Sequence, residues 1–373
     1  MLKKNKLLLI PDRYAHYRKG IFEAIATRYD TTLLAAFTED AANIPVAEEG
    51  LFVKGDNWHP LSDVFLFGVC FWQKGIALHV LKQNFDVLII WGDVSRITTW
   101  LAVVLAKIQR KKVILWTHGL YGNENGLKRR LRLILYGMGD HIFTYGMFAK
   151  RLLENAGFKP TGVSVVSNSI ASGSSPVNLT HRELRKNVRQ DGIIECCFIG
   201  RLEKVKSLNM LIDLIAWYQE NRSVKLIVHF IGDGAMRDDL LEYSIRRGVR
   251  DCVLRHGKIY DLDEIANKIE NCVCCIAPGN VGLTAITSLS LGLPVITHSD
   301  PVHQMPEYEA IVDGVNGKLF ERGNLLSLVQ ACDQLVKGIQ LGQITSDQCV
   351  KVVADKFSPT AQMEVVGGAL DNL

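Results

Sequence analysis

The sequence lacks the long apolar runs and repeats that mark several classes of protein. Its most apolar stretches, at 64–72 and 100–108, are interrupted well before the roughly 20 residues that a membrane-spanning helix needs. The opening segment, MLKKNKLLLIPDRY, holds a short apolar run before Pro11, which is too short for the core of a signal peptide. Low-complexity segments and short-period repeats are absent. We therefore expect neither a transmembrane segment nor export.

An excess of one charge and a cysteine framework are also missing. The net charge is +4 over 373 residues, so attraction to nucleic acid or to a membrane would need local clusters, and no nucleic-acid partner is expected. The nine cysteines have no paired spacing, which predicts buried thiols in a reducing compartment, the cytoplasm. Cys272 and Cys275 form a CxxC string, but no second Cys or His pair stands at zinc-like spacing.

The positive signal is an alternation of strand-length apolar runs with longer helical patterns, which is typical of parallel strands covered by helices. A first series of runs lies at 7–10, 32–37, 87–90, 113–116, 141–145 and 163–167, and a second at 195–200, 225–232, 252–257, 272–277 and 293–298. The fold class predicted is α/β, with two doubly wound Rossmann-like domains, 1–168 and 190–357, that face a cleft. The segment 358–373 is expected to pack as a helix on the first domain.

Three segments of the second half carry candidate chemistry. In FIGRLEKVKSLNMLIDLI (198–215) a strand ends at Gly200, and Arg201 and Lys206 precede an amphipathic helix, an arrangement that suits a diphosphate. Solvated surface charges would give the same pattern. In HFIGDGAMRDDL (229–240), Gly232 permits close backbone approach to a ligand or an ordinary turn. In APGNVGLTAITSLSLGLPVITHSD (277–300), glycines precede a helix whose first amides could meet a phosphate or a sugar.

The order GRLExxK, GDG, HGK, PGNVGL, GLPVI and MPEYEAIVDGVNGKLF resembles the retaining glycosyltransferases of family GT4 (glycosyl transferases group 1), which have the GT-B fold. The resemblance covers most of 195–335, whereas the first half matches in architecture and in WTHG at 116–119. It implies transfer of a sugar from a nucleotide diphosphate sugar without a metal or cofactor, because basic side chains and amides neutralise the leaving diphosphate.

The resemblance also assigns roles to residues. Arg201 and Lys206 would hold the diphosphate, and His118 would sit beside the reacting sugar unless it is a packed structural histidine. The implied donor contacts are Gly200, Gly232, Gly257, Lys258, Asn280, Val281, Gly282, Leu283, Thr287 and Glu307. Glu307 would equally suit a carboxylate at a helix start.

The chain departs from the family pattern at two positions. Many members have two glutamates in the PGNVGL segment, and these positions are Gly279 and Thr287 here. A hydroxyl at Thr287 can still hydrogen-bond a ribose, and the cationic pair is present. The missing carboxylates nevertheless leave open a non-catalytic subunit that binds nucleotide sugars for a partner enzyme. A nucleotide-sugar epimerase on the same fold is a second alternative.

Two further clusters point to the acceptor and to a membrane. The loop DRYAHYRKG after the first strand combines aromatic and cationic side chains suited to a phosphate-linked saccharide, although a basic helix start would look alike. The acceptor contacts predicted there are Arg13, Tyr14, His16, Tyr17 and Arg18. In the second cluster, Lys128, Arg129, Arg130 and Arg132 alternate with Leu127, Leu131, Leu133 and Leu135, as in a helix on an anionic membrane or in a solvated helix.

The sequence thus predicts a cytoplasmic glycosyltransferase with peripheral contact to the inner face of a membrane. Its partners would be a nucleotide-sugar donor and a saccharide or lipid-linked acceptor. By family resemblance alone, the process would be synthesis of bacterial envelope polysaccharide or lipopolysaccharide.

Overall fold

The chain forms two compact α/β units. The computed structural model describes residues 5–15, 18–35, 58–66, 70–169, 184 and 192–373. The first unit comprises residues 1–171 together with 358–373, and the second comprises residues 172–357. Most of the expected connecting stretch, 168–190, lies outside the described residues. The prediction of two doubly wound parallel sheets is confirmed.

The first unit is built on a parallel sheet of seven strands. Its elements are β1 (Lys6–Ile10), α1 (Lys19–Arg28), β2 (Asp30–Ala35), β3 (Trp58–Pro60), β4 (Asp63–Leu66), β5 (Cys70–Gln73), α2 (Ile76–Lys82), β6 (Val87–Trp91), α3 (Ile97–Ile108), β7 (Lys112–Trp116), α4 (Gly126–Gly137), β8 (His141–Thr144), α5 (Met147–Asn155) and β9 (Val163–Val165). The order is β3-β2-β1-β6-β7-β8-β9, and β4 and β5 form a separate antiparallel hairpin. Strand β1 lies at the point where the order reverses, so the loops after β1 and β6 are suited to ligand binding.

The second unit is built on a parallel sheet of six strands. Its elements are β10 (Ile193–Ile199), α6 (Asn209–Asn221), β11 (Lys225–Ile231), α7 (Arg237–Arg246), β12 (Val253–Gly257), α8 (Leu262–Lys268), β13 (Cys274–Ala277), α9 (Thr284–Ser290), β14 (Val295–His298), β15 (Gly317–Phe320), α10 (Leu325–Gln340) and α11 (Ser346–Lys356). The order is β12-β11-β10-β13-β14-β15. Strand β10 is the switch point of this sheet, so the loops after β10 and β13 are the corresponding ligand position.

The last helix, α12 (Pro359–Asp371), belongs to the first unit and packs against α1. Strand side chains in this unit alternate between two cores, because successive side chains of a strand point to opposite faces. Leu7 and Leu9 join the core beneath α1 and α12, while Leu8 and Ile10 join the core beneath α2, α3, α4 and α5. The sheet is therefore covered by helices on both faces.

All nine cysteines are free thiols, of which Cys70 is half-buried and the others are buried. Cys272 and Cys275 lie in the hydrophobic interior of the second unit, as the apolar run predicted. Across the described ranges, no group of three or more metal-binding side chains comes together. Within the same part of the chain, no helix is both long and apolar enough to cross a bilayer.

Candidate functional site

The loops that follow β10, β11 and β12 lie side by side. The amide of Gly200 donates to the Ile231 carbonyl at 2.9 Å, and the amide of Gly232 donates to the Gly257 carbonyl at 2.7 Å. Gly232 has φ +143°, and a Cβ there would lie 1.9 Å from the Gly200 carbonyl oxygen. Because the atoms that such a Cβ would meet belong to the backbone of Gly200, no side chain fits at position 232. The GDG glycine is thus explained by loop packing.

The turn that carries Lys206 is joined to the loop after β13. Lys206 ends a 3₁₀ turn, Lys204–Lys206, whose carbonyls accept from the amides of Gly279 and Asn280 at 2.9 and 3.2 Å. The Lys206 ammonium in turn donates to the Asn280 carbonyl at 2.6 Å and lies 3.4 Å from that of Val281. Two segments more than 70 residues apart therefore hold this cation at the carboxyl end of the sheet.

The electrostatics of this region favour an anion. Burial, helped by repulsion from Arg201, lowers the pKa of Lys206 to about 8, while Glu307 and Glu203 oppose the shift. Lys206 is still mainly protonated at neutral pH. The Arg201 side chain is exposed and pairs with Glu203 at 2.7 Å. An exposed pair of this kind is worth only about 0–1 kcal/mol, so Arg201 can exchange it for a phosphate oxygen.

The amide of Val281 is bonded within the protein. It donates to Oε1 of Gln304 at 2.9 Å, so it would have to leave this bond to reach a ligand, and its contact with a phosphate or a sugar stays a prediction. Gln304 also donates to Thr297 Oγ1 at 2.9 Å and to the His298 carbonyl at 3.0 Å. This side chain fixes the bend before α9. Sequence reasoning missed Gln304, because nothing in the sequence connects it to a loop 23 residues earlier.

The same loop holds polar atoms that are not used within the described part of the protein. Within the described residues, the buried Asn280 Oδ1 has no hydrogen-bond partner, and the amides of Gly282 and Leu283 donate to no other group. Gly282 has φ +54°, and a Cβ at this position would lie 3.6 Å from Lys206 Nζ. A buried oxygen atom without a partner costs about 1–3 kcal/mol, and a sugar hydroxyl or a bound water would recover that cost.

The packing explains why the first family glutamate is absent. A Cβ at Gly279 would lie 2.3 Å from the Val205 carbonyl oxygen and 2.6 Å from the Lys206 carbonyl carbon. Both are backbone atoms, so a side chain there requires the Lys206 turn to move. The other position, Thr287, is half-buried on α9. Thr284, which the motif reading passed over, anchors α9 by donating to the Ile199 carbonyl at 2.6 Å.

The remaining expected donor residues lie on neighbouring loops. Gly257, the last residue of β12, and Lys258, directly after it, are exposed. The Lys258 ammonium lies 4.8 Å from the centre of the Tyr260 ring. Glu307 is buried in the 3₁₀ turn Pro306–Ala310, close enough for its charge to act on Lys206. Glu307 is therefore a carboxylate near the cationic pair, although it comes from a different segment than the family glutamates.

In the first unit, His118 follows β7 in an aromatic environment. Its ring centre lies 4.9 Å from that of Tyr145 and 5.5 Å from that of Trp91. Burial, helped by the positive charge of Arg18, lowers the pKa of His118 to about 4, so the imidazole is neutral at physiological pH. Its Nδ1 is buried and has no hydrogen-bond partner in the part of the chain that the structure describes. The neutral ring is thus equipped to hydrogen-bond a hydroxyl.

The expected acceptor loop is only partly available to a ligand. Tyr14 is fully buried and stacks on Phe22, so the expectation that it contacts the acceptor is wrong. Arg18 is buried against the Trp91 ring, and both it and the half-buried Arg13 pair with Asp12, at 2.6 and 3.4 Å. His16 and Tyr17 lie outside the described residues.

Asp12 was also missed by the sequence reading, although its position two residues after the end of β1 was a signal. Burial alone would raise the pKa of Asp12, but Arg18, Arg13 and Arg96 together bring it below its usual value. Asp12 is therefore an ionised partner that holds the cations of this loop.

The basic helix also differs from its expected arrangement. Arg132 forms an ion pair with Glu124 and lies 4.7 Å from the centre of the Tyr121 ring, so it is not one of the outward cations. Leu135 is fully buried and Leu133 packs against the same core. The outward-facing leucines of α4 are Leu127 and Leu131.

Comparison with known proteins finds a family that the second unit is similar to. Residues 194–338 match the family model of the glycosyl transferases group 1. No curated protein sequence matches the chain.

Solved structures match the chain almost over its whole length. The lipopolysaccharide outer core galactosyltransferase WaaB in its apo form is 16% identical with a TM-score of 0.72, covering 98% of this chain and 99% of its own. HepE from Anabaena in complex with UDP is 16% identical with a TM-score of 0.69, covering 99% and 100%. Sucrose-phosphate synthase from Thermosynechococcus elongatus is 14% identical with a TM-score of 0.66, covering 99% of each chain. At these identities the likeness shows the fold, which is GT-B.

Proposed function

Because residues 194–338 match the family model of the glycosyl transferases group 1 and the fold is GT-B, we propose that the chain is a retaining, metal-independent glycosyltransferase. It takes a sugar from a nucleotide diphosphate sugar and adds it to a saccharide or lipid-linked saccharide. The observation that carries the proposal is the cationic pair after β10: Lys206, half-buried with a lowered pKa, beside the exposed Arg201.

In this mechanism the pair stabilises the charge that develops on the leaving diphosphate. A cation that is already desolvated acts on that charge more strongly than a hydrated one. The amides of Gly282 and Leu283 supplement it, and the Asn280 amide oxygen accepts from a hydroxyl of the donor. Neutral His118 is the proposed hydrogen-bonding contribution of the first unit to sugar recognition. Front-face transfer, in which the leaving phosphate helps take the acceptor proton, does not require the two absent family glutamates.

Uridine nucleotides are the first donors to test. HepE has been solved with UDP and with UDP-glucose, and WaaB is named a galactosyltransferase of the lipopolysaccharide outer core. These names support a uridine diphosphate hexose as donor and an envelope saccharide as acceptor for this chain.

The decisive experiment compares Arg201→Ala and Lys206→Ala with Lys204→Ala. Lys204 is exposed and lies in the same turn as Lys206, so its removal is a matched loss of charge. We expect each site variant to lower kcat by about 100- to 1000-fold and to weaken the rise in melting temperature with UDP. The Lys204 variant should retain both. Wild-type transfer rates in Arg201→Ala or Lys206→Ala would refute the site.

The same assay separates the alternatives. A non-catalytic subunit would bind the nucleotide sugar, and its melting temperature would rise, but it would transfer no sugar to any acceptor. An epimerase would change the donor sugar or release nucleotide without an acceptor. Acceptor-dependent release of UDP together with a glycosylated product is the outcome expected here.

A further inference from the structure

The helical layer formed by α2, α3 and α4 presents apolar side chains to solvent. Together with α5, these three helices cover one face of the first sheet, and their inward residues belong to a single core. Their outward large apolar residues, which we call the α2–α4 face, are Leu78, Leu81, Ile97, Val104, Ile108, Leu127, Leu131 and Ile134. Exposed apolar residues scattered singly are normal, whereas these are concentrated on three helices of one layer.

The residues of this face follow helical spacing. On α3, Ile97, Val104 and Ile108 recur at i, i+7 and i+11, and on α4, Leu127, Leu131 and Ile134 recur at i, i+4 and i+7, so each set forms one stripe. Ile108 and Leu127 are each 72% exposed and Ile134 is 58% exposed. A helix that is apolar on its outward stripe as well as on its inward side, as α3 is, needs a second apolar surface to cover it.

Charge identifies what covers the α2–α4 face. Helices α2, α3 and α4, all of whose residues the structure describes, contain no Asp or Glu. Of their six cations, Lys107 pairs with Asp140 and Arg132 pairs with Glu124, Arg129 is half-buried, and Lys82, Lys128 and Arg130 are exposed. On α4, exposed Lys128 and Arg130 stand on the two sides of the apolar stripe. Apolar side chains between exposed cations, with no acidic residue on the same helices, match the acyl boundary and the anionic headgroups of a bilayer.

We propose that the α2–α4 face docks the chain peripherally on an anionic lipid bilayer. Leu127, Leu131 and Ile134 enter the acyl boundary, while Lys128 and Arg130 contact the headgroups. The docking does not depend on transferase activity. The further consequence, that the acceptor is presented by the membrane, rests on the proposed function.

Vesicle co-sedimentation of the full chain tests this. We expect binding to vesicles of phosphatidylcholine mixed equally with phosphatidylglycerol, much weaker binding to phosphatidylcholine alone, and a loss of affinity as salt rises. Each cation near such a surface contributes about fivefold in affinity. Lys128→Gln with Arg130→Gln should therefore weaken binding about 25-fold. Leu127→Asn with Ile134→Asn should weaken binding to the mixed vesicles and leave the remaining binding sensitive to salt.

The control removes two exposed cations from the second unit, Lys351→Gln with Lys356→Gln, and should bind as the wild type does. The proposal is overturned if the control loses as much affinity as the α4 variants, or if the wild type binds neither kind of vesicle. Self-association that Leu127→Asn with Ile134→Asn abolishes, without vesicle binding, would instead assign the face to a second copy of the chain. The rise in melting temperature with UDP should persist in every α4 variant, which separates failure of docking from failure of the donor site.

Discussion

At the scale of single residues, Lys206 combines a structural cost with a functional use. Its pKa of about 8 lies below the usual value of 10.5, so the folded chain disfavours the charge on which diphosphate binding depends. We expect Lys206→Met to keep its melting temperature at neutral pH, because the loss of the carbonyl contacts is offset by removal of a desolvated cation. The variant should nevertheless lose its response to UDP.

The pH dependence gives this prediction a second measurement. Between about pH 8 and pH 10.5 the unfolded wild type holds a proton that the folded chain has released, so its unfolding free energy rises with pH relative to that of Lys206→Met. The affinity of the wild type for UDP should fall over the same pH range, because Lys206 loses its charge there. Lys204→Met should behave as the wild type does in unfolding and in binding. An equally strong UDP response in Lys206→Met would contradict the assignment.

His118 makes the opposite kind of prediction, because burial keeps it neutral. With a pKa of about 4, its titration cannot shape the activity between about pH 6 and pH 8, although an ordinary histidine would titrate there. We expect the pH profile of kcat/KM near pH 6.5 to be the same in His118→Gln as in the wild type. His118→Gln should retain more activity than His118→Ala, since an amide still hydrogen-bonds a hydroxyl. Exposed His303, which pairs with Asp300, is the control position.

Stability supplies an independent check on His118. Its folded pKa lies below the unfolded value of about 6.5, so the stability that neutral His118 contributes is lost as pH falls from about 6.5 through 4. Unfolding measured over that range should be less sensitive to pH in His118→Gln than in the wild type. If the unfolding free energy depends on pH equally in the two proteins, the folded wild type does not hold the His118 ring buried and neutral.

At the scale of elements, the contact between the Lys206 turn and the loop after β13 can be tested through Gly279. An alanine there would press its Cβ on backbone at 2.3 Å, and we expect a loss of about 1–3 kcal/mol in unfolding free energy together with a weakened UDP response. In Gly368→Ala, on α12, the new Cβ meets nothing within 4 Å, so stability should hold or rise by about 0.4–1 kcal/mol. Urea unfolding with and without UDP measures both effects.

The sequence predicts the regular elements better than the contacts between them. Parallel strands buried on both faces are continuous apolar runs, so the strands from β6 to β14 fall within a few residues of their predicted positions. The hairpin of β4 and β5 was not predicted, and neither was β15, because GKLF stands inside a polar loop segment. The Val281–Gln304 bond and the Arg132–Glu124 pair were also missed, since each depends on how a loop folds back.

At the scale of the molecule, the two ends of the chain meet in the first unit. Val366, Ala369 and Leu370 of α12 share a core with α1 and β1, while the candidate donor site lies in the second unit. We therefore expect Leu370→Ala, at a position 2% exposed, to cost about 2–5 kcal/mol and to act on the first unit. Hydrogen exchange should speed up in peptides from β1 and α1.

In the same Leu370→Ala protein, peptides around Arg201 and Lys206 should keep the protection that UDP gives them, because their unit has its own sheet and core. Leu341→Ala, at an exposed position of the second unit, is the matched control and should leave exchange in both regions unchanged. Faster exchange in β10 and α6 that equals the change in β1 would contradict separate units. It would mean instead that the chain unfolds as one cooperative body, and that the stability of the donor site depends on a helix of the other unit.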